Sequence, residues 1–167
     1  LAAFVDSRFL LTRELERLVA AGLAAISGFT PSDASHVLGY LDAWSRPAAE
    51  AGARILARKA GIKGKDASHT FSRRVVDRVS AAAATDLLKA CFAESQGLDM
   101  ERDTKFFPFL TGAAFSKDPS ATENFVDISF TLRKKLVGIG APAQTYFPRA
   151  GKLLSAEVVV PRHAEVA

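Results

Sequence analysis

The sequence predicts a mainly α-helical protein with a small parallel β-α-β unit at its C-terminal end, an α+β arrangement. Three observations lead there. Apolar residues recur at three- and four-residue spacing through much of residues 1–134. Hydroxyl-and-proline signals that open helices recur at residues 30–33, 45–47 and 118–120. Residues 135–167 then change in kind, to a short apolar run, a glycine turn, a helical stretch and a β-branched run.

Residues 12–21 place Leu15, Leu18 and Val19 on one side and Arg13, Glu14, Glu16 and Arg17 on the other, which predicts an amphipathic helix. Thr30-Pro31-Ser32-Asp33 supplies a capping hydroxyl, a proline at the first helical position and an acid near the positive end of the dipole, so a helix should run over residues 31–41. Ser45 and Pro47 start an Ala-rich helix ending near Gly61, and residues 61–65 read as a loop. Phe71, Val75, Val79, Leu87 and Cys91 keep an i, i+4 rhythm over residues 66–95 without proline or glycine, predicting one helix roughly 45 Å long that Gly97 ends. Residues 98–119 read as irregular structure with apolar anchors, and Asp118-Pro119-Ser120 as the start of a helix reaching residue 134. Residues 136–139 and 158–160 read as strands flanking a helix over residues 144–154, and a crossover of that length makes the strands parallel. Two parallel strands are normally part of a larger sheet, so residues 135–167 are expected to be part of a lobe completed elsewhere.

A length of 167 residues, 49% of them hydrophobic, suits one globular domain. No apolar run approaches the eighteen residues of a membrane span, which predicts a protein without a membrane partner. The lone Cys91 cannot form an internal disulfide and reads as a buried structural thiol in a reducing, cytoplasmic compartment. The N-terminal residue Leu1, with Asp6 and Arg8 close behind, reads as a cut end rather than a secretory leader. Residues 54–89 hold nine Lys/Arg against three Asp. Such a stretch reads as a solvated helix face or, in the rival reading, as the surface of a helical interaction module that binds nucleic acid or an acidic protein. Few aromatics interleave with these charges to stack bases, and the eight or so residues between the first two helices exceed a helix-turn-helix turn, which disfavours nucleic acid.

His36 lies three residues after Asp33, a spacing that permits a metal or proton-transfer pair, although a local hydrogen bond or helix contact explains it more simply. His69 and His163 read as structural or solvated, Tyr40 and Trp44 as core, and Arg73 with Asp77 as an exposed i, i+4 pair. No paired-cysteine zinc pattern and no supported Ser/His/Asp arrangement is visible.

Gly138-Ile139-Gly140-Ala141-Pro142-Ala143 satisfies the pattern G-x-G-x-x-G/A, and Arg162 follows the second strand where a ribose-phosphate contact could fall. Three readings compete. A dinucleotide enzyme would need further strands; a purely structural turn would need only glycine's freedom; and a nucleotide-bordering loop would use the bare backbone to approach adenosine or phosphate.

Residues 28–44, GFTPSDASHVLGYLDAW, and 136–167, LVGIGAPAQTYFPRAGKLLSAEVVVPRHAEVA, resemble the hydantoinase/oxoprolinase family, in particular its hydantoinase A-type subunit. Residues 98–130 contribute nothing to the likeness. The resemblance implies a fragment of an actin-like ATPase fold, in which two lobes clamp ATP and magnesium to open cyclic amides such as 5-oxoproline or N-methylhydantoin; relatives carboxylate ketones. It implies that Gly138, Gly140, Ala141 and Pro142 form the adenosine-side loop, that residues 161–167 start a further helix, and that the helix over residues 66–95 packs against the second lobe. The partners it implies are the remainder of the same subunit and a second large subunit of the hydantoinase B type, in an oligomeric enzyme. The family's Asp-Gly-Gly-Thr-like phosphate hairpins have no counterpart in residues 1–135, so this chain alone is not expected to hydrolyse ATP.

Overall fold

The computed structural model describes residues 10–25, 28–100, 102, 105–115, 126–140 and 142–164. It divides into two units, Leu1–Thr30 and Pro31–Ala167. In the first, helix α1 (Leu10–Ala20) carries an exposed Arg17–Glu14 ion pair at 2.9 Å. Leu15 and Leu18 of its apolar stripe are both solvent-exposed.

The second unit contains helices α2 (Pro31–Val37), α3 (Arg46–Lys59), α4 (Ala67–Gln96), α5 (Phe106–Phe115) and α6 (Ala143–Leu153), with strands β1 (Leu136–Val137) and β2 (Val158–Val159). The result is a mostly helical fold with a small C-terminal parallel β-α-β element, as the periodicities predict. Helix α2 stops four residues earlier than expected. Gly39, at φ 73°, lets the chain reverse so that the Gly39 and Tyr40 amides reach back to the carbonyls of His36 and Ser35. Ser45 caps α3 as its residue type predicts, its hydroxyl accepting from the Ala48 amide.

Helix α4 extends over thirty residues and organises the unit, with α2, α3 and α6 all packed on it. Its buried stripe differs from the one expected. Ser72, Val76, Ser80, Ala84 and Leu88 are buried, whereas Phe71, Val75, Val79, Leu87 and Cys91 are half-buried along one flank. The two stripes lie one residue, or about 100°, apart on the helix. Close helix packing explains the choice: α3 presents the small residues Ala49, Ala53 and Ala57 as its buried stripe, and small residues on α4 let the axes approach.

Residues 106–115, expected to be irregular, form α5. Pro108 sits in the first turn, where its missing amide breaks no helical bond, and the Thr111 hydroxyl returns to the Phe107 carbonyl at 3.1 Å. The helix expected up to residue 134 is not formed over residues 126–135, and its start at residues 118–120 lies outside the described residues. Instead the chain runs beside the end of α6, with the Leu132 amide donating to the Leu154 carbonyl, before entering β1.

The two strands pair in parallel, Leu136 opposite Val158 and Val137 opposite Val159, and among the described residues each has a partner on one side only. Phe107, Leu136, Ala150 and Leu154 join Ala84 and Leu88 in one core, with Phe92 set edge-on to Phe107 at 6.0 Å. Helix α6 lies so close to β2 that a Cβ placed on Gly151 would stand 2.1 Å from Val158 Cγ2.

Gly151→Ala should therefore destabilise the protein by about 1–3 kcal/mol or more, because either strand or helix must move. Gly112, a helical glycine with open space around it, is the control: Gly112→Ala should raise stability by roughly 0.5–1 kcal/mol through helix propensity. Urea denaturation of both variants checks the pair.

Candidate functional site

Beyond β1 the backbone turns sharply into α6, and the two glycines of the turn are there for different reasons. Gly138 is buried, and a Cβ on it would come within 3.2 Å of the Phe147 ring and 3.4 Å of Ala143 Cβ. It is a packing glycine. Gly140 has φ 98°, outside the range L side chains adopt comfortably, with nothing crowding it closer than Pro142 Cδ at 3.8 Å. It is a turning glycine with open space above it. Pro142 is exposed at the N-cap of α6, and Ala141 lies outside the described residues.

The amides decide what this turn can hold. The Gly138 N–H donates to the Val159 carbonyl at 2.9 Å and the Gly140 N–H to the Ala164 carbonyl at 2.5 Å. Ala143 N–H bonds to Gly140, and Pro142 has no N–H to offer. A dinucleotide loop directs such amides at pyrophosphate, so their internal use counts against that reading despite the sequence pattern. Its exposed side chains are apolar: Val137 is 60% and Ile139 61% exposed, and Pro142 is exposed as well.

A second feature involves α4, α5 and α6. They border a cleft of about 850 Å³ lined by Arg74, Arg78 and Lys89 from α4 and Arg149 and Lys152 from α6, with Asp77 the one carboxylate among the described lining residues. Phe107, Thr111 and Leu153 form part of its wall. The basic stretch of residues 54–89 is visible in the sequence, whereas the contribution of α6 is not. The signal was the i, i+3 spacing of Arg149 and Lys152, which gains meaning only once α6 is seen to pack on α4.

Arg149 ties the elements together. Its guanidinium donates to the Thr145 carbonyl at 2.9 Å and to the Tyr40 hydroxyl at 2.7 Å, lies 4.6 Å from the centre of the Tyr40 ring, and stands 4.0 Å from Asp77. The expected Arg73–Asp77 pair gives way to this tertiary one. Tyr40 and Trp44, expected in the core, are 45% and 66% exposed. The short α2 leaves Tyr40 on the following loop against Arg149, and Trp44, further along the same connection, packs against His36.

His36 is 1% exposed, and its ring packs on Trp44 at 5.5 Å between centroids. Neither ring nitrogen has a hydrogen-bond partner among the described residues, so the expected bond to Asp33 is not formed. The neighbouring Ser35 does find one, its hydroxyl lying 3.2 Å from the Tyr146 hydroxyl. His69 and His163 are exposed and Cys91 is half-buried. Among the described residues no three His, Cys, Asp or Glu side chains converge as metal ligands, and no helix is long and apolar enough to cross a membrane. No family model, curated protein or solved structure matches this chain.

A buried donor without a partner costs about 1–3 kcal/mol, so removing the imidazole should relieve that penalty. His36→Leu is expected to leave stability unchanged or raise it by about 1 kcal/mol, measured by thermal and urea unfolding; a large loss would mean that the ring is hydrogen-bonded in solution.

Proposed function

We propose that residues 138–142 border the adenosine side of an ATP cleft, in the ATPase-type subunit of a hydantoinase/oxoprolinase-like enzyme that opens cyclic amides. In this reading the fold belongs with the actin-like ATPases, and the chain positions the nucleotide rather than cutting it. The observation that carries the reading is the chemistry of the turn. Its glycine amides are spent inside the β-α-β unit, while an apolar rim of Val137, Ile139 and Pro142 faces outward. Such a surface suits the flat face of an adenine base and is unsuited to phosphate, which needs free donors or cations. The likeness of residues 28–44 and 136–167 to that family supports the same assignment.

The chain's own contribution is then geometric. The open space above Gly140 lets a base approach the backbone, and the packing of Gly138 under Phe147 fixes where α6 begins. Magnesium, which would accompany ATP, finds no set of three carboxylate or imidazole ligands among the described residues. The phosphate-side and metal-side groups would come from the remainder of the same subunit. The ring substrate and a hydantoinase B-type partner subunit belong to this proposal as well.

The test is calorimetric titration of the complete gene product, together with its second large subunit, with ATP. Saturable binding is expected, along with ATP hydrolysis that depends on a cyclic amide such as 5-oxoproline or N-methylhydantoin. Ile139→Glu, which alters an exposed side chain, should weaken ATP about tenfold, or 1.4 kcal/mol, by placing a carboxylate beside the base. Absence of any ATP affinity in that assembly overturns the reading.

A further inference from the structure

We propose that the cleft between α4, α5 and α6 binds a small organic phosphate, an anion with an apolar body. The site is separate from the glycine turn, since neither Gly138, Gly140 nor Pro142 lines it, and the inference does not depend on the nucleotide reading.

Charge is the first argument. Among the described residues five cations and one carboxylate line the cleft, a local excess of four. Two of the cations are already engaged, Lys89 with Asp86 at 3.6 Å and Arg149 with Asp77 and Tyr40. Arg74, Arg78 and Lys152 have no ion pair or hydrogen bond among the described residues. Arg74 and Arg78 sit one turn apart on a single face of α4, and Lys152 projects from α6 into the same space. Like charges gathered around a concave surface repel one another and raise the local potential, which an anion relieves. Paired guanidinium groups match a phosphate with parallel N–H donors better than any other common side chain.

Shape is the second argument. About 850 Å³ falls within the range of small-molecule sites, and the lining also includes the apolar side chains of Ala81, Pro108, Phe115 and Leu153. A bare ion would leave that lining exposed to water. A ligand with an aromatic or aliphatic body would cover it and bind more tightly for the apolar surface removed from solvent.

Phenyl phosphate is the probe, titrated calorimetrically into the protein beside inorganic phosphate and, in a separate arm, a short duplex DNA. Phenyl phosphate is expected to bind, to bind several-fold more tightly than inorganic phosphate, and to weaken as salt rises. Arg74→Gln and Arg78→Gln should each lower its affinity roughly tenfold, as loss of a charged hydrogen bond does, and Lys152→Gln should lower it less. All three side chains are exposed, so the variants should keep the parent's circular dichroism and melting temperature. Ile139→Glu should leave phenyl phosphate binding unchanged, which separates this site from the glycine turn. The proposal is overturned if no heat of binding is seen, if the arginine variants bind as the parent does, or if inorganic phosphate binds equally well. It is also overturned if duplex DNA binds with a steep salt dependence while phenyl phosphate does not, because the surface would then serve nucleic acid.

Discussion

The close approach of Gly151 to Val158 sets the geometry on which the rest of the Pro31–Ala167 unit depends. With no side chain at residue 151, α6 sinks onto β2, and its neighbours along the helix are delivered to fixed places. Ala150 enters the core with Ala84 and Leu88, Tyr146 meets Ser35 of α2, and Arg149 reaches Tyr40 and Asp77. Residues 111 and 109 positions apart in sequence are thereby joined. A single helix near the C-terminus thus holds α2 and α4 in register with the sheet, and closing such long loops costs entropy that the packed core must offset. Pro148 within α6 removes one helical amide, and the Arg149 guanidinium bonds the carbonyl of Thr145 close by.

Features with local causes were legible in the sequence. Ser45, Gly61 and Gly97 mark helix ends through their own backbone and side-chain chemistry, and the parallel pairing of residues 136–137 with 158–159 followed from the length of the crossover. Features with tertiary causes were not. The stripe of α4 was displaced because several elements pack on that helix at once: Ala84 and Leu88 enter the core with Phe107, Leu136 and Leu154, and Ser72 and Ser80, poor hydrophobes but small, are buried on the same face. Helix α5 was hidden by its proline and clustered phenylalanines, which read as loop chemistry, yet a proline in the first turn is compatible with a helix. Trp44 reads as core from its sequence context, but it lies on the α2–α3 connection and is exposed.

The candidate turn shows the same division. The pattern G-x-G-x-x-A is visible in sequence, but it does not reveal which glycine is needed for space and which for dihedral angle. Phe147, nine residues after Gly138, answers that question only because α6 folds back over the strand. Nor does the pattern disclose where the amides point, and their internal bonds leave the Gly138 and Gly140 N–H groups unavailable to a phosphate.

For the basic cleft, stability supplies part of an explanation, and the remainder is informative. Arg149 and Lys152 lie in the C-terminal half of α6, where positive charge complements the helix dipole, and Arg149 also bridges three elements. Neither role needs a ligand. Arg74 and Arg78 are different: they fall in the first half of a thirty-residue helix, where the dipole disfavours cations if it acts at all, and among the described residues no carboxylate pairs with either. Both arginines and Lys152 are exposed, so solvent and salt screen their mutual repulsion and it adds little to the cost of folding. A solvated helix face accommodates both arginines, and the anion proposed above would add the partner that no described carboxylate supplies.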